Sequence, residues 1–160
     1  LDEIGDMPMA MQAKLLRVLE DGLVMPVGGM SPVKVDVRLI SATNHDLAKL
    51  VEEKKFRQDL YFRIKGATIE IPPLRQRRED IPLLIDHMIA QANKAHGTKV
   101  KSVAADTRRV LMAYPWPGNV RQLRNVVENM VVLAGDETKL SVDDLPEEIH
   151  TPPASLTIGR

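Results

Sequence analysis

At 160 residues the chain holds one domain's worth of sequence, or two small domains at most. Its 22 basic and 22 acidic residues cancel, so no global positive field draws it onto phosphate backbones, which argues against a dedicated nucleic-acid-binding domain. Hydrophobic residues make up 44% and aromatics 3%, with no cysteine and no apolar run near ~18 residues, a composition that excludes a disulfide framework and a spanning helix and points to an aliphatic core in a soluble, cytoplasmic protein.

The sequence opens on Leu1-Asp2-Glu3, with neither an initiator Met nor a charged-then-apolar leader, and so reads as a piece of something longer. Asp6 is placed to cap a helix with Pro8 in its first turn and Met11, Leu15, Val18 and Leu19 on one face, stopped by Gly22. Leu23–Val27 and Val33–Val37 then flank Gly28-Gly29 and Ser31-Pro32, two short strands joined by a turn-rich loop. The second run continues through Leu39 and Ile40 to Thr43, the near-continuous apolar pattern of a buried parallel strand.

Asn44 ends that run, and a polar helix from Asp46 to Lys54 leads to the stretch Phe56–Arg63. Thr68–Ile71 reads as another short strand, and Pro72-Pro73 as a stiff extended link where a domain boundary is placed. Everything beyond is helical. Asp80 caps a helix with Ile81, Leu84, Ile85, Met88, Ile89 and Ala92 along one stripe, ending at Gly97. A second helix covers about Ala104 to Tyr114. Asn119 with Gln122 has the spacing of a capping box for a third, whose Leu123, Val126, Val127, Met130 and Val131 face inward until Gly135. Ser141 with Asp144 repeats that spacing for a short fourth helix, and residues 151–160 read as linker.

Two local charge imbalances hide in the neutral total. Lys54–Arg78 carries eight basic residues against two acidic ones, a net of +6, and Gly135–His150 carries six acids against Lys139, a net of −5. The middle of the chain is therefore suited to an anionic partner.

Four places have residue types that phosphate chemistry uses. Asp2-Glu3, at the end of a parallel strand, would face a ligand crevice, where Asp holds Mg²⁺ through water and Glu orients an attacking water; two solvated acids near a chain end give the same dipeptide. Asn44 would emerge at the same sheet edge to bond a phosphate oxygen, or would simply cap the following helix. Arg57 and Arg63 present guanidinium forks suited to phosphate, or pair with acids on a surface helix. Arg121 lies in the first turn of the third long helix, where a cation opposes the dipole and a bound phosphate would give it a reason. The four histidines are too scattered for a metal set, no nucleophile stands beside a base, and the methionines read as core filler or loop residues.

Taken in order, Leu1-Asp-Glu-Ile-Gly-Asp-Met7, Gln12–Gly22, Ala42-Thr-Asn44, Phe56-Arg-Gln-Asp-Leu60, Pro72-Pro-Leu-Arg75 and Trp116–Leu123 resemble the central AAA+ ATPase domain of bacterial sigma-54-dependent transcriptional activators. The resemblance implies a fold of α/β followed by all-α. Residues 1–73 would be the C-terminal part of the α/β subdomain, 74–150 the helical lid, and 151–160 a linker. It further implies ATP and Mg²⁺ as cofactors, with Asp2 and Glu3 the Walker B pair, Asn44 sensor I, Arg57 and Arg63 arginine fingers reaching a neighbouring subunit, Arg121 sensor II, and the loop Val27–Lys34 a pre-sensor insertion. The implied partners are sigma-54 RNA polymerase holoenzyme and further copies in a ring, with DNA bound only through a separate domain and no membrane.

The departures from that family are specific. No G-x-x-x-x-G-K-[ST] and no Gly-Ala-Phe-Thr-Gly-Ala loop occurs in the 160 residues, and both precede Walker B in the family. His45 stands where the family often has Arg, Lys65-Gly66 where Asn-Val is common, and no helix-turn-helix follows the linker. The expectation is a portion of an ATPase that is inactive by itself; the alternative is a non-catalytic helical adaptor that keeps the lid fold.

Overall fold

Helix α1 (Met9–Asp21) begins where Pro8, with φ fixed and its carbonyl accepting from Met11 and Gln12 N–H, sets the first turn. It ends at Gly22, whose φ of 65° is the left-handed conformation that glycine adopts freely and whose N–H closes on the Val18 carbonyl. The computed structural model describes residues 1–150; the linker expected over 151–160 lies outside the described residues. The chain divides into two compact units, Leu1–Glu70 and one from Ile71 onward.

In the first unit, β1 (Leu23–Val24) pairs antiparallel with β2 (Val33–Lys34), Leu23 opposite Lys34. Helices α2 (Leu47–Glu52) and α3 (Gln58–Ile64) follow. Ile4, Leu16, Phe56 and Leu60 form the core, with Leu15, Leu19, Leu47, Leu50, Val51, Tyr61 and Ile64 packed around them. The inward face of α1 differs from the expected one: Gln12 and Leu16 are buried, whereas Met11 is exposed.

The parallel strand expected through Leu39–Thr43 is not formed. Residues 35–43 belong to no strand or helix, and Val37 and Ile40 are 50% and 73% exposed. A parallel strand needs ladder partners and covered faces, and among the described residues Leu39–Thr43 has backbone hydrogen bonds only with Leu1 and Ile4, while Val35 N–H reaches Gly22 O at 2.7 Å. Nor is there a strand at Thr68–Ile71, where Ile69 and Ile71 are 86% and 76% exposed.

The second unit is built on two long helices, α4 (Ile81–His96) and α6 (Asn119–Ala134), whose apolar stripes face each other. Each stripe repeats at three- and four-residue spacing, which gathers it on one helical face. Ile81, Ile85, Met88, Ile89 and Ala92 from α4 and Leu123, Val126, Val127, Met130 and Val131 from α6 are buried in one core. Between them come β3 (Ser102–Val103) and α5 (Ala105–Ala113), and after them β4 (Lys139–Leu140), parallel to β3, and α7 (Glu147–His150). The expected Ser141–Asp144 capping box is present, Asp144 Oδ2 accepting from Ser141 N–H at 2.7 Å. Asp80 precedes α4 without a side-chain capping bond.

Because Leu123 is wholly buried in the α4–α6 core, Leu123→Ala is expected to destabilise this unit by ~3 kcal/mol through lost transfer energy and a residual cavity. Urea unfolding followed by fluorescence of Trp116, the single tryptophan, measures it; a loss below ~1 kcal/mol would contradict the packing.

Candidate functional site

Leu1 and Ser41 sit in parallel register, Leu1 N donating to Ile40 O at 2.7 Å and Ala42 N to Leu1 O at 2.9 Å. The ladder then slips by one residue, since it is Ile4 rather than Glu3 whose N–H reaches Ala42 O, at 3.0 Å. Glu3 takes up the slack at φ 51°, ψ 45°, a left-handed conformation that costs a non-glycine residue on the order of 1–2 kcal/mol. Its freed N–H is received by Asp2 Oδ1 at 3.1 Å. Strain and ladder slip therefore coincide at the two acids.

Asn44 stands at the corresponding end of the neighbouring segment. Its flanks are held against Gly5: a Cβ at Gly5 would come within 2.8 Å of Thr43 Oγ1 and 3.0 Å of the His45 ring. His45 Nε2 hydrogen-bonds Asp6 Oδ1 at 2.9 Å. The His45 ring and the Asp6 carboxylate thus brace the turn that follows Asn44, and Asp6 performs this task instead of capping α1. Nor does Asn44 cap α2; Asp46 does, accepting from Ala48 and Lys49 N–H at 3.0 and 3.2 Å. Asp2, Glu3 and Asn44 are all exposed, at the same ends of two parallel backbone segments.

Arg57 precedes the first turn of α3. Its guanidinium grips Asp59 at two points, Nε to Oδ1 at 3.0 Å and Nη2 to Oδ2 at 2.6 Å. Those hydrogen bonds hold the Asp59 carboxyl below its ordinary range and raise Arg57 above its own. Arg63, in the last turn of the same helix, donates from Nη2 to Leu19 O at 2.7 Å. It thereby satisfies a carbonyl in the last turn of α1, a favourable place for a cation.

Sequence reasoning gave no role to the residue that anchors this region. Gln12 is fully buried; its Nε2 donates to Met7 O at 2.7 Å and Lys55 O at 3.1 Å, and its Oε1 accepts from Arg57 N at 2.8 Å. The only signal in the sequence is an amide at i−4 from Leu16 within an apolar stripe.

In the second unit, Arg121 is exposed in the first turn of α6, which has no acidic residue there. The turn that sets it differs from the expected capping box. Gly118 occupies the N-cap without a side-chain cap bond, and its N–H donates to Gln122 Oε1 at 3.0 Å. Asn119 reaches instead to Leu74, accepting its N–H at 2.9 Å. Trp116 and Asn119 both adopt positive φ, 49° and 50°, and the buried Trp116 ring donates to Leu111 O at 2.7 Å.

Among the described residues no three His, Asp or Glu side chains converge on a metal site. Mg²⁺ with a nucleotide needs less, one or two carboxylates beside the phosphate oxygens and water, and Asp2 with one carboxylate oxygen outside the Glu3 bond fits that need. No helix of the described residues is long and apolar enough to cross a membrane.

Residues 75–157 match the AAA+ ATPase lid domain family and residues 1–70 the sigma-54 interaction domain family. The DNA-binding transcriptional regulator NtrC of Salmonella typhimurium is 46% identical over 97% of this chain and 35% of its own length. The nitrogen fixation protein AnfA of Azotobacter vinelandii is 44% identical over 98% of the chain and 29% of its own. Among solved structures, that of NtrX from Brucella abortus in complex with ATP superposes with a TM-score of 0.83 at 44% identity, covering 94% of this chain and 36% of the other. The chain thus spans about a third of the length of the curated relatives it matches.

Replacing Gln12 by Leu strands the Arg57 N–H and two carbonyls, at about 1–3 kcal/mol for each group left unpaired. Hydrogen exchange at the Arg57 amide is expected to quicken at least ~10-fold in that variant, as 1.4 kcal/mol or more implies, with α6 amides unchanged. Equal protection in both proteins would contradict the anchoring role.

Proposed function

Because the chain belongs to the AAA+ ATPases that carry a sigma-54 interaction domain, we propose that it is the C-terminal part of the ATPase domain of a sigma-54-dependent transcriptional activator. In that reading, subunits assemble in a ring and ATP hydrolysis remodels sigma-54 RNA polymerase at promoters, with DNA held by a separate domain. The observation that supports it most is the junction of Asp2, strained Glu3 and Asn44 at one end of two parallel segments. Ligand crevices in α/β folds lie outside the carboxyl ends of parallel strands.

Each residue has a task suited to its chemistry. Asp2 would hold Mg²⁺ through water, and that ion neutralises charge on the phosphate oxygens when bound. Glu3, turned out of the ladder, aims a carboxylate to orient or deprotonate the attacking water. Asn44 offers an amide that bonds a phosphate oxygen or the same water, with its loop fixed against Gly5. Arg57 and Arg63 supply guanidinium forks to a neighbouring subunit's nucleotide, where such an arginine accelerates phosphoryl transfer by ~10³ to 10⁵. Arg121 takes the sensor II role, answering phosphate charge from a helix N-terminus that already favours anions.

The NtrX structure named above holds ATP, which supports nucleotide binding by this fold. Within the 160 residues there is no Gly-rich loop with its Lys to cradle the phosphates. The isolated chain is therefore expected to release no phosphate from ATP above background in a Mg²⁺-containing assay. In the longer gene product, Glu3→Gln is expected to lower turnover at least ~100-fold, the scale of a lost general base, while ATP still binds. Steady turnover by the isolated chain, or a fully active Glu3→Gln protein, would overturn the proposal.

A further inference from the structure

Arg57 is fixed at both ends. Its main-chain N–H is held by the buried Gln12 amide at 2.8 Å, and its guanidinium is gripped by Asp59 through Nε and Nη2. Asp59 is itself tied down, because Oδ1 also accepts the Leu60 N–H at 2.8 Å. The carboxylate therefore cannot follow the arginine if it swings away without giving up its place on α3.

A guanidinium has five N–H groups on a planar fork. Asp59 occupies the edge formed by Nε and one Nη2 hydrogen. Both Nη1 hydrogens and the second Nη2 hydrogen remain; one Nη1 hydrogen and that Nη2 hydrogen form the outer edge, which matches two phosphate oxygens. Both side chains are well exposed, at 38% and 46%, and an exposed ion pair contributes little to folding. Stability does not account for a two-point grip at this position; orientation does.

We propose that Asp59 is a positioning residue: it clamps the inner edge of Arg57 and leaves the outer edge presented to the nucleotide phosphates of an adjoining subunit. This rests on the reading of Arg57 as an arginine finger given above. The flexible arginine stem is ordered before any phosphate arrives, so less freedom is lost when the phosphate binds.

The test compares ATP turnover by the longer gene product carrying Arg57→Ala, Asp59→Asn, and both. Asparagine keeps an oxygen for the Leu60 N–H but places an amide N–H₂ or a single acceptor against the guanidinium, so the helix start persists while the two-point grip is lost. Asp59→Asn is expected to lower kcat about 10- to 100-fold, the scale of a small misplacement of a catalytic group. KM for ATP and the sedimentation of the assembled ring are expected to stay within about twofold of the unaltered protein. In an Arg57→Ala or Arg57→Lys background, where no fork remains to be gripped, Asp59→Asn is expected to change nothing further.

Wild-type turnover in Asp59→Asn overturns the clamp, as does a rise in kcat, which would mean that Asp59 withholds the arginine. Additive losses in the double variant overturn it as well. Full turnover in Arg57→Ala overturns the finger reading itself and the clamp with it, and so is told apart from failure of the clamp alone. In the 160-residue chain, slow rotation about the Arg57 guanidinium bonds by NMR, quickened in Asp59→Asn, is the expected physical signature. Free rotation in the unaltered chain would contradict the grip.

Discussion

A single buried amide holds the start of α3 in place in the first unit. Gln12 lies at zero exposure, and its hydrogen bonds tie α1 to the Lys55 carbonyl and the Arg57 N–H. A buried side-chain amide is costly unless its groups are paired; here the oxygen accepts a main-chain donor and the nitrogen donates to two main-chain carbonyls. Such an arrangement admits few alternative geometries, since a shift of α1 along its axis would leave several polar groups unpaired at once. The start of α3, and Arg57 with it, inherits that rigidity.

The same principle of braced backbone recurs at the acids. Glu3 is left-handed because the ladder between residues 1–4 and 40–42 slips by one, and the slip is sustained by the Ile4 to Ala42 bond and by the buried Ile4 side chain. Local strain persists only where surrounding structure over-determines it. Gly5 then passes so close to Thr43 and His45 that no side chain fits, which brings the Asn44 loop beside the acids. The positively charged forks are held differently, Arg57 on a carboxylate and Arg63 on a helix-end carbonyl. The +6 stretch read from the sequence is thus partly engaged within the chain itself.

Much of the second unit was legible because its helices obey a simple period. The stripes of α4 and α6 follow the sequence reading closely, since in an amphipathic helix burial follows directly from spacing. Where sequence and structure part, a polar side chain has a more distant partner than a local rule supplies. Asn119 bonds Leu74 rather than its own helix, Asp6 bonds His45 rather than capping α1, and Gln12 displaces Met11 from the inward face. The apolar run through Leu39 to Thr43 carries strand chemistry, but a strand is a property of its neighbours as well as of itself, and too few surround it among the described residues.

The candidate site residues stand out in the sequence as an ordered set of motifs and much less so one at a time. Asp2-Glu3 alone reads as two solvated acids, and Arg57 with Asp59 alone reads as a surface pair. Their meaning comes from the parallel register that joins residues 1–4 to 40–42 and from the anchoring of α3 on Gln12, neither of which spacing reveals. In the proposed mechanism Glu3 acts on the nucleotide of its own subunit and Arg57 on that of a neighbour. Mixing the longer protein carrying Glu3→Gln with the same protein carrying Arg57→Ala, each expected to turn over ATP far more slowly than the unaltered protein, tests this most directly. Mixed assemblies are expected to recover ATP turnover, because an Arg57→Ala subunit keeps its Glu3 and receives Arg57 from its partner. Turnover that stays at the level of the separate variants, in assemblies shown to contain both, would contradict that division of labour.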